Sequence, residues 1–239
     1  MRLDRRTVHA GILIALSLFF AWMWASQETL RYLGPRTSWL VPFGAIGLGL
    51  LALGAVQAAR RDPDPAPLGV REAAGLLALV LPMVMAFLLA HTQLGAQAAS
   101  KKLASRGIDS SALSQLAAGH AGELDFLALS VAQKDRKFAA ENGVTAGKDV
   151  RLLGFVSATP ANAHAPFQLT RFYITCCVAD SVPIGVTVLP AAGRHGPVRK
   201  DQWLDVTGDL ERRHGRLVVH AVRARAVPAP KHPYLYVAS

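Results

Sequence analysis

Charged residues and cysteines are both scarce in this sequence of 239 residues. Charged residues make up 18% of it and hydrophobic residues 51%, a balance that excludes a mainly disordered chain. The only two cysteines, Cys176 and Cys177, are adjacent. Because neighbouring cysteines close only a small strained ring, a structural disulfide framework is excluded as well.

Motifs that mark common enzymes are also missing. The sequence contains no glycine-rich phosphate loop, no nucleophile elbow, no His-Glu-x-x-His zinc motif and no suggestive pair of carboxylates. We therefore expect a protein that is not an enzyme. Roles in binding, anchoring or transport stay open.

Three long runs without any Asp, Glu, Lys or Arg occupy the first ninety residues, at 8–25, 40–59 and 73–90. Each is about as long as the roughly 17 to 25 residues with which a helix crosses a bilayer. The sequence therefore predicts a three-span membrane domain in residues 1–94, embedded in the lipid bilayer of the cell membrane. A cleaved signal peptide is the alternative for the first run, but Trp22 and Trp24 stand where cleavage requires small residues.

Arginines flank these runs unevenly. They precede the first run and lie between the second and third, at Arg2, Arg5, Arg6, Arg60, Arg61 and Arg71. The loop between the first and second runs has only Arg31 and Arg36. The positive-inside rule then places the N-terminus in the cytoplasm. Three crossings leave the chain after His91 extracellular or periplasmic, although Lys101 and Lys102 stand just past the third run.

The second run has a surface of small residues, Gly44, Gly47, Gly49 and Gly54. Another helix can approach closely on such a surface. That helix could belong to this chain or to a partner, and we favour a partner. Because the three runs contain no carboxylate or amine, the chain alone has no evident ion pathway.

The remaining sequence changes character after Gly147. Residues 95–147 have a polar pattern with helical spacing, which predicts a short helical connector. Beyond it, five β-type runs are separated by Pro, Gly and charged turns: Val150 to Ser157, Phe167 to Ala179, Ile184 to Leu189, Trp203 to Leu210 and Leu217 to Val227. They predict an all-β C-terminal domain at 148–239, a five-stranded barrel of the OB type. Residues 212–216 are predicted as a hairpin turn.

The second β-type run contains the two cysteines. If it is one continuous strand, its side chains alternate between two faces, so Cys176 packs inside the barrel and Cys177 faces outward beside Arg171 and Tyr173. One interpretation is that both cysteines are small buried hydrophobes. The other is a functional patch of Arg171, Cys177 and Asp180, in which Arg171 lowers the pKa of the thiol and Asp180 ligates a cation or orients Arg171.

Cys177, Cys176 and Asp180 are also candidate metal ligands. A zinc site needs about four donors, and a histidine such as His164 or His195 could supply the fourth. The adjacent cysteines could equally bind another thiophilic metal or a metalloid, or form a redox-labile disulfide. Any cofactor is therefore expected to be zinc or another thiophilic metal.

The basic character of the chain, with a net charge of +10, raises the question of nucleic acid. Barrels that bind single strands need exposed aromatic rings along a basic groove. Only Tyr173, Tyr234 and Tyr236 are candidates for such rings. Since topology explains the arginines beside the apolar runs, nucleic acid is not an expected partner.

Several short motifs follow one another in the C-terminal part: Gly147-Lys148-Asp149-Val150, Gly154-Phe155-Val156, Phe167-Gln168-Leu169-Thr170-Arg171-Phe172, Ile174-Thr175-Cys176-Cys177-Val178-Ala179-Asp180, Pro183, Trp203-Leu204-Asp205-Val206-Thr207-Gly208 and Pro233-Tyr234-Leu235. Together they resemble the YcgQ-like family of predicted permease subunits, most specifically through the paired cysteines followed by Ala-Asp. The resemblance implies an accessory subunit of a two-component permease with a larger multi-span partner, and an outer β domain that binds or gates substrate, with metal or metalloid as an associated substrate class. Two other functions stay open: a membrane-anchored thiol protein that binds a metal or performs redox chemistry without a permease, and a purely structural anchor.

Overall fold

The computed structural model of the chain describes residues 5–61, 69–89, 94–105, 124–159, 165–190 and 198–236. They form two compact units, one within residues 1–93 and the other within residues 94–239. The first unit contains the helices α1 (Arg5–Ala25), α2 (Leu40–Arg61) and α3 (Val70–Leu89), with a short 3-10 turn at Glu28–Arg31.

Among the residues that the structure describes, two helices are long and apolar enough to cross a membrane, over Thr7–Ala25 and Leu40–Arg61. Their positions agree with the first two predicted spans. The third predicted span, 73–90, coincides with α3 as far as Leu89, and residue 90 lies outside the described residues. The count of three spans and the direction in which they cross stay predictions.

Helices α1 and α2 pack against each other through small residues of α2. Ser17 Oγ donates to the Ala45 carbonyl at 2.8 Å, and a Cβ on Gly49 would lie 3.2 Å from the same hydroxyl oxygen. On another side of α2, a Cβ on Gly44 or Gly47 would meet no described atom within 4 Å. The predicted small-residue surface is therefore divided, because α1 covers only one side of it.

Five strands of the second unit close into a barrel: β1 (Asp149–Ala158), β2 (Phe167–Ile174), β3 (Val182–Leu189), β4 (Trp203–Arg213) and β5 (Arg216–Ala226). Antiparallel pairs join β1 to β2 and β4, β2 to β3, and β4 to β5, while β3 pairs in parallel with β5. A short strand β6 (Tyr234–Tyr236) adds in parallel to β2. The five-stranded barrel predicted from the sequence is confirmed, and the strand pairing shows that it is closed.

The connection between β4 and β5 shows how local sequence ends a strand. Strand β4 ends at Arg213 and β5 begins at Arg216, so the loop consists of His214 and Gly215. Both loop residues have positive φ, 48° and 79°, as two-residue hairpin turns require. The turn predicted at 212–216 is confirmed.

The described residues of the second unit also form three helices, α4 (Ala96–Ser105), α5 (Phe126–Lys134) and α6 (Arg136–Glu141). Asp125 caps the start of α5 by accepting a hydrogen bond from Ala128 N at 2.8 Å. Six of the nine residues of α5 are buried, because this helix is apolar on several sides at once. The compact unit begins at Leu94, so the described part of the segment predicted as a polar connector packs together with the barrel.

Strand β2 is buried on both faces. Tyr173 joins the main core, which α5 shares with the barrel. Phe172 and Ile174 belong to a second apolar cluster, to which α4 contributes Ala96 and Ala99. The prediction that Tyr173 faces outward is therefore wrong, since Tyr173 is only 2% exposed. With both faces covered, alternation along β2 does not reveal which side chains meet water.

Candidate functional site

The turn between β2 and β3 carries the adjacent cysteines. Strand β2 ends at Ile174, and a short 3-10 turn at Val178–Asp180 leads into β3. Asp180 N donates to the Cys177 carbonyl at 3.1 Å, which closes this turn. The strand predicted to run to Ala179 is too long, so the alternation argument does not reach the cysteines.

Three of the predicted metal ligands come together in this turn. One ligand atom each from Cys176, Cys177 and Asp180 lies within 4.8 Å of the other two. Cys176 is exposed, so the prediction that it packs inside the barrel is wrong, because it lies past the end of the strand. The histidines suggested as a fourth ligand, His164 and His195, lie outside the described residues.

The carboxylate of Asp180 organises the turn. Its Oδ2 accepts a hydrogen bond from Cys176 N at 2.8 Å, and its Oδ1 accepts one from Thr175 N at 3.3 Å. Partial burial acts to raise the pKa of Asp180, but hydrogen bonds from the Cys176 thiol and from backbone N–H groups outweigh burial, so the pKa is lowered. The carboxylate is thus charged at neutral pH and stands against the Cys176 side chain.

The same carboxylate raises the pKa of the neighbouring Cys176 thiol. The hydrogen bond to Asp180 raises the pKa of Cys176 to about 11, with smaller contributions from Cys177 and from desolvation. A negatively charged acceptor stabilises the protonated thiol and disfavours the thiolate. Without a metal to displace the proton, Cys176 is therefore a poor nucleophile at neutral pH.

Slow alkylation of Cys176 at neutral pH is expected from this pKa. Raising the pKa from 9.0 to about 11 lowers the thiolate fraction roughly a hundredfold. The Asp180→Asn variant removes the charge that holds the proton, so its thiolate should form at lower pH and react faster at neutral pH. Iodoacetamide rates measured against pH, with both proteins in a Cys177→Ser background, test this expectation. Equal rates at neutral pH would show that Asp180 does not control the thiol.

Arg171, predicted as part of the functional patch, has other partners. Its guanidinium donates to three carbonyl oxygens, those of His232 at 2.8 Å, Pro233 at 3.1 Å and Leu153 at 3.4 Å. It also lies 5.9 Å from the ring centroid of Trp203, and burial lowers its pKa. None of the hydrogen bonds described for Arg171 reaches Cys177 or Asp180. These contacts give no support to a role for Arg171 in lowering the pKa of the Cys177 thiol.

Lys102 of α4, which the sequence presents only as a charge past the third apolar run, contacts the same turn. Its ammonium group lies within hydrogen-bonding distance of four oxygen atoms: the carbonyls of Val178 at 3.3 Å, Ala179 at 3.0 Å and Ser181 at 2.9 Å, and Ser181 Oγ at 2.7 Å. These oxygens lie on both sides of Asp180 in the chain. Because 76 residues separate Lys102 from Val178, no local sequence pattern indicates the contact.

Comparisons with known proteins bear on the barrel. None of the curated proteins matches this chain. A family model does match residues 138–237, a range that contains all the barrel strands and the turn that carries Cys176, Cys177 and Asp180. The match is consistent with the YcgQ-like resemblance of the same residues. The barrel segment of this chain is thus similar to the family described as the DUF1980 C-terminal domain.

Proposed function

We propose that this chain is an accessory subunit of a two-component membrane permease. Its barrel binds or gates the substrate at the outer mouth of a pore that a larger multi-span subunit forms. The observation that carries this proposal is the similarity of residues 138–237 to the DUF1980 C-terminal domain, in a chain with two helices apolar enough to cross a membrane. These helices anchor the barrel, and the absence of Asp, Glu, Lys and Arg from 8–25 and 40–59 leaves transport itself to the partner.

The finer arrangement belongs to the same proposal. Helix α3 forms the third span and the N-terminus is cytoplasmic, and three crossings from there leave the barrel extracellular or periplasmic. The distribution of arginines beside the apolar runs supports this orientation. The barrel is of the OB type, an assignment supported by the parallel pairing of β3 with β5 in a closed set of five strands. The exposed Cys176 turn is then the place where the barrel meets its substrate.

The contact with the partner uses the open side of α2. Helix α1 covers the side that carries Ala45 and Gly49, through Ser17. On the side with Gly44 and Gly47, an added Cβ would meet none of the described atoms within 4 Å. Small residues allow two helix backbones to approach closely in a membrane, where packing supplies most of the association energy. A helix of the multi-span subunit fits this side.

Co-purification of the tagged chain from detergent tests the proposal. The wild-type chain should recover a multi-span membrane protein, and Gly47→Leu should reduce that recovery several-fold, because leucine prevents close helix approach. Gly11→Leu on α1 is the matched control, since a Cβ at Gly11 also meets no described atom within 4 Å. Equal recovery with Gly47→Leu and the control would exclude this side of α2 as the contact. Absence of any multi-span partner from the wild-type sample, or solute transport by the purified chain alone, would contradict the subunit function.

A membrane-anchored thiol protein that works without a permease is the second candidate. The cluster of Cys176, Cys177 and Asp180 favours it, because two sulfur donors and a carboxylate within 4.8 Å of one another suit a thiophilic metal. This second function predicts that the purified chain binds metal but recovers no multi-span partner. The co-purification experiment described above therefore distinguishes the two candidate functions.

A further inference from the structure

We propose that the turn at 175–181 is a three-ligand site for a thiophilic divalent cation of the Zn²⁺ or Cd²⁺ class. Cys176 Sγ, Cys177 Sγ and a carboxylate oxygen of Asp180 are its ligands, and Lys102 is the residue that positions them. This inference deepens the proposed function. The claim that the cation is the substrate of the barrel rests on that function. The claim that the turn binds the cation is supported independently, by the geometry of the turn.

The donor set selects the class of cation. Thiolate ligands favour zinc, cadmium and similar soft ions, whereas calcium and magnesium require oxygen ligands. Three protein ligands also leave one tetrahedral position of zinc open. An open position suits an ion that is taken up and passed on, because an incoming ligand can attach before the protein ligands leave.

The distances in the turn are close to those that a bound ion requires. A Zn–S distance of about 2.3 Å with tetrahedral angles puts two ligand sulfurs about 3.8 Å apart. The ligand atoms of Cys176, Cys177 and Asp180 already lie within 4.8 Å of one another, so they have to approach by at most about 1 Å. Rotation of the exposed Cys176 side chain can supply most of this movement, and its exposure gives the ion access from water.

The carboxylate is held in place before any ion arrives. Asp180 accepts hydrogen bonds from Cys176 N and Thr175 N, which fixes its orientation towards the cysteines. The Cys176 thiol also donates to this carboxylate, and because a metal ion displaces the thiol proton, that acceptor position becomes free for the ion. Ligands fixed by a surrounding shell of hydrogen bonds bind metal more tightly, because less ordering remains to be done.

Lys102 supplies that surrounding shell for the rest of the turn. Its ammonium group bonds to the Ala179 and Ser181 carbonyls, the residues on either side of Asp180. Two thiolates and a carboxylate around a divalent cation leave one net negative charge, which the nearby ammonium offsets. Lys102 therefore both shapes the site and favours its charged, metal-bound form, although it does not touch the ion.

The test is a Cd²⁺ titration of the full chain in detergent, under a non-thiol reductant, followed by the sulfur-to-cadmium charge-transfer absorbance. One Cd²⁺ per chain is expected, and Zn²⁺ should displace it. Cys176→Ser and Cys177→Ser should each weaken the band and lower the affinity at least tenfold. Asp180→Asn should lower the affinity roughly 10- to 100-fold while the sulfur band at saturation is kept.

Lys102→Met should lower the affinity about tenfold, with the saturated band unchanged because the ligands are intact. Lys102→Arg should restore most of the affinity, since a guanidinium can donate to the same carbonyls. Lys101→Met is the matched control on the same helix, where Lys101 is exposed, and it should bind as wild type. An equal loss in Lys101→Met and Lys102→Met would overturn the positioning role.

Absence of a charge-transfer band in the wild-type chain would overturn the site itself, as would wild-type binding by Cys177→Ser. These results are separable from the proposed function, because partner recovery is measured on the same sample. Cadmium binding by a chain that recovers no partner would support the metal site and contradict the permease function. Recovery of the partner by a chain that binds no cadmium would contradict the metal site and support the permease function.

Discussion

Alanine in place of Phe126 is expected to lower the free energy of unfolding of the second unit by about 3–5 kcal/mol. Phe126 begins α5 and is 2% exposed. Its ring packs directly on β1, where the Cζ atom lies 2.8 Å from the position that a Cβ on Gly154 would take. Because Gly154 has no side chain to extend into the vacated space, the cavity left by the ring stays largely unfilled.

Denaturant unfolding of the full chain in detergent, followed by hydrogen exchange of barrel amides, measures this loss. Phe138→Ala is the matched control, because Phe138 of α6 is only partly buried at the edge of the same core. We expect it to cost about 1 kcal/mol. If Phe126→Ala costs no more than the control, α5 is a connector between domains and not a part of the barrel core.

The second large effect is expected at Gly208 in β4. The register between β4 and β5 shifts between Thr207 and Gly208, and the backbone of β5 comes close at this point. A Cβ on Gly208 would lie 2.8 Å from Ala221 Cα and closer still to the His220 carbonyl oxygen. Backbone atoms cannot rotate away as a flexible side chain can, so even alanine has to push the two strands apart.

Gly208→Ala is therefore expected to cost about 3 kcal/mol or more, and Gly208→Val to prevent the barrel from folding. Gly185→Ala in β3 is the control, because a Cβ there meets mainly the flexible end of the Gln168 side chain. Its cost should stay near about 1 kcal/mol. Thermal unfolding of the two alanine variants compares them, and equal midpoints would mean that the close approach at Gly208 relaxes easily.

The strands of the barrel are predictable because each is short, apolar and bounded by turn residues. Strands β3 and β5, for example, begin and end within two residues of the predicted runs. Strand β6 escapes prediction, since its three residues carry no pattern of their own. The apolar runs are predictable for a simpler reason, because a stretch without charge that is long enough to cross a bilayer has few other uses.

The candidate site is predictable in its composition but not in its geometry. Cys176, Cys177 and Asp180 are close in sequence, so they are bound to be near one another. The contact of this turn with Lys102 is not a local property, because Lys102 lies on α4, 76 positions before Val178. The partners of Arg171 are distant in the same way, since His232 lies 61 positions further along the chain. The contacts of Lys102 and Arg171 both depend on how distant segments of the chain pack against each other, which the sequence pattern does not show.

Strand β2 shares one of its edges between two neighbours, and this divided edge is the seam of the barrel. Residues 168–170 pair with β1, and residues 172–174 pair with β6. Arg171 stands where the partner changes and bonds to both flanks, to the Leu153 carbonyl on β1 and to the His232 carbonyl just before β6. If β6 detached, the backbone of residues 172–174 would become an open edge, and open edges recruit extended segments from other chains. The half-buried Arg171 bonds to both flanks, and so it favours the arrangement in which this edge of β2 stays covered.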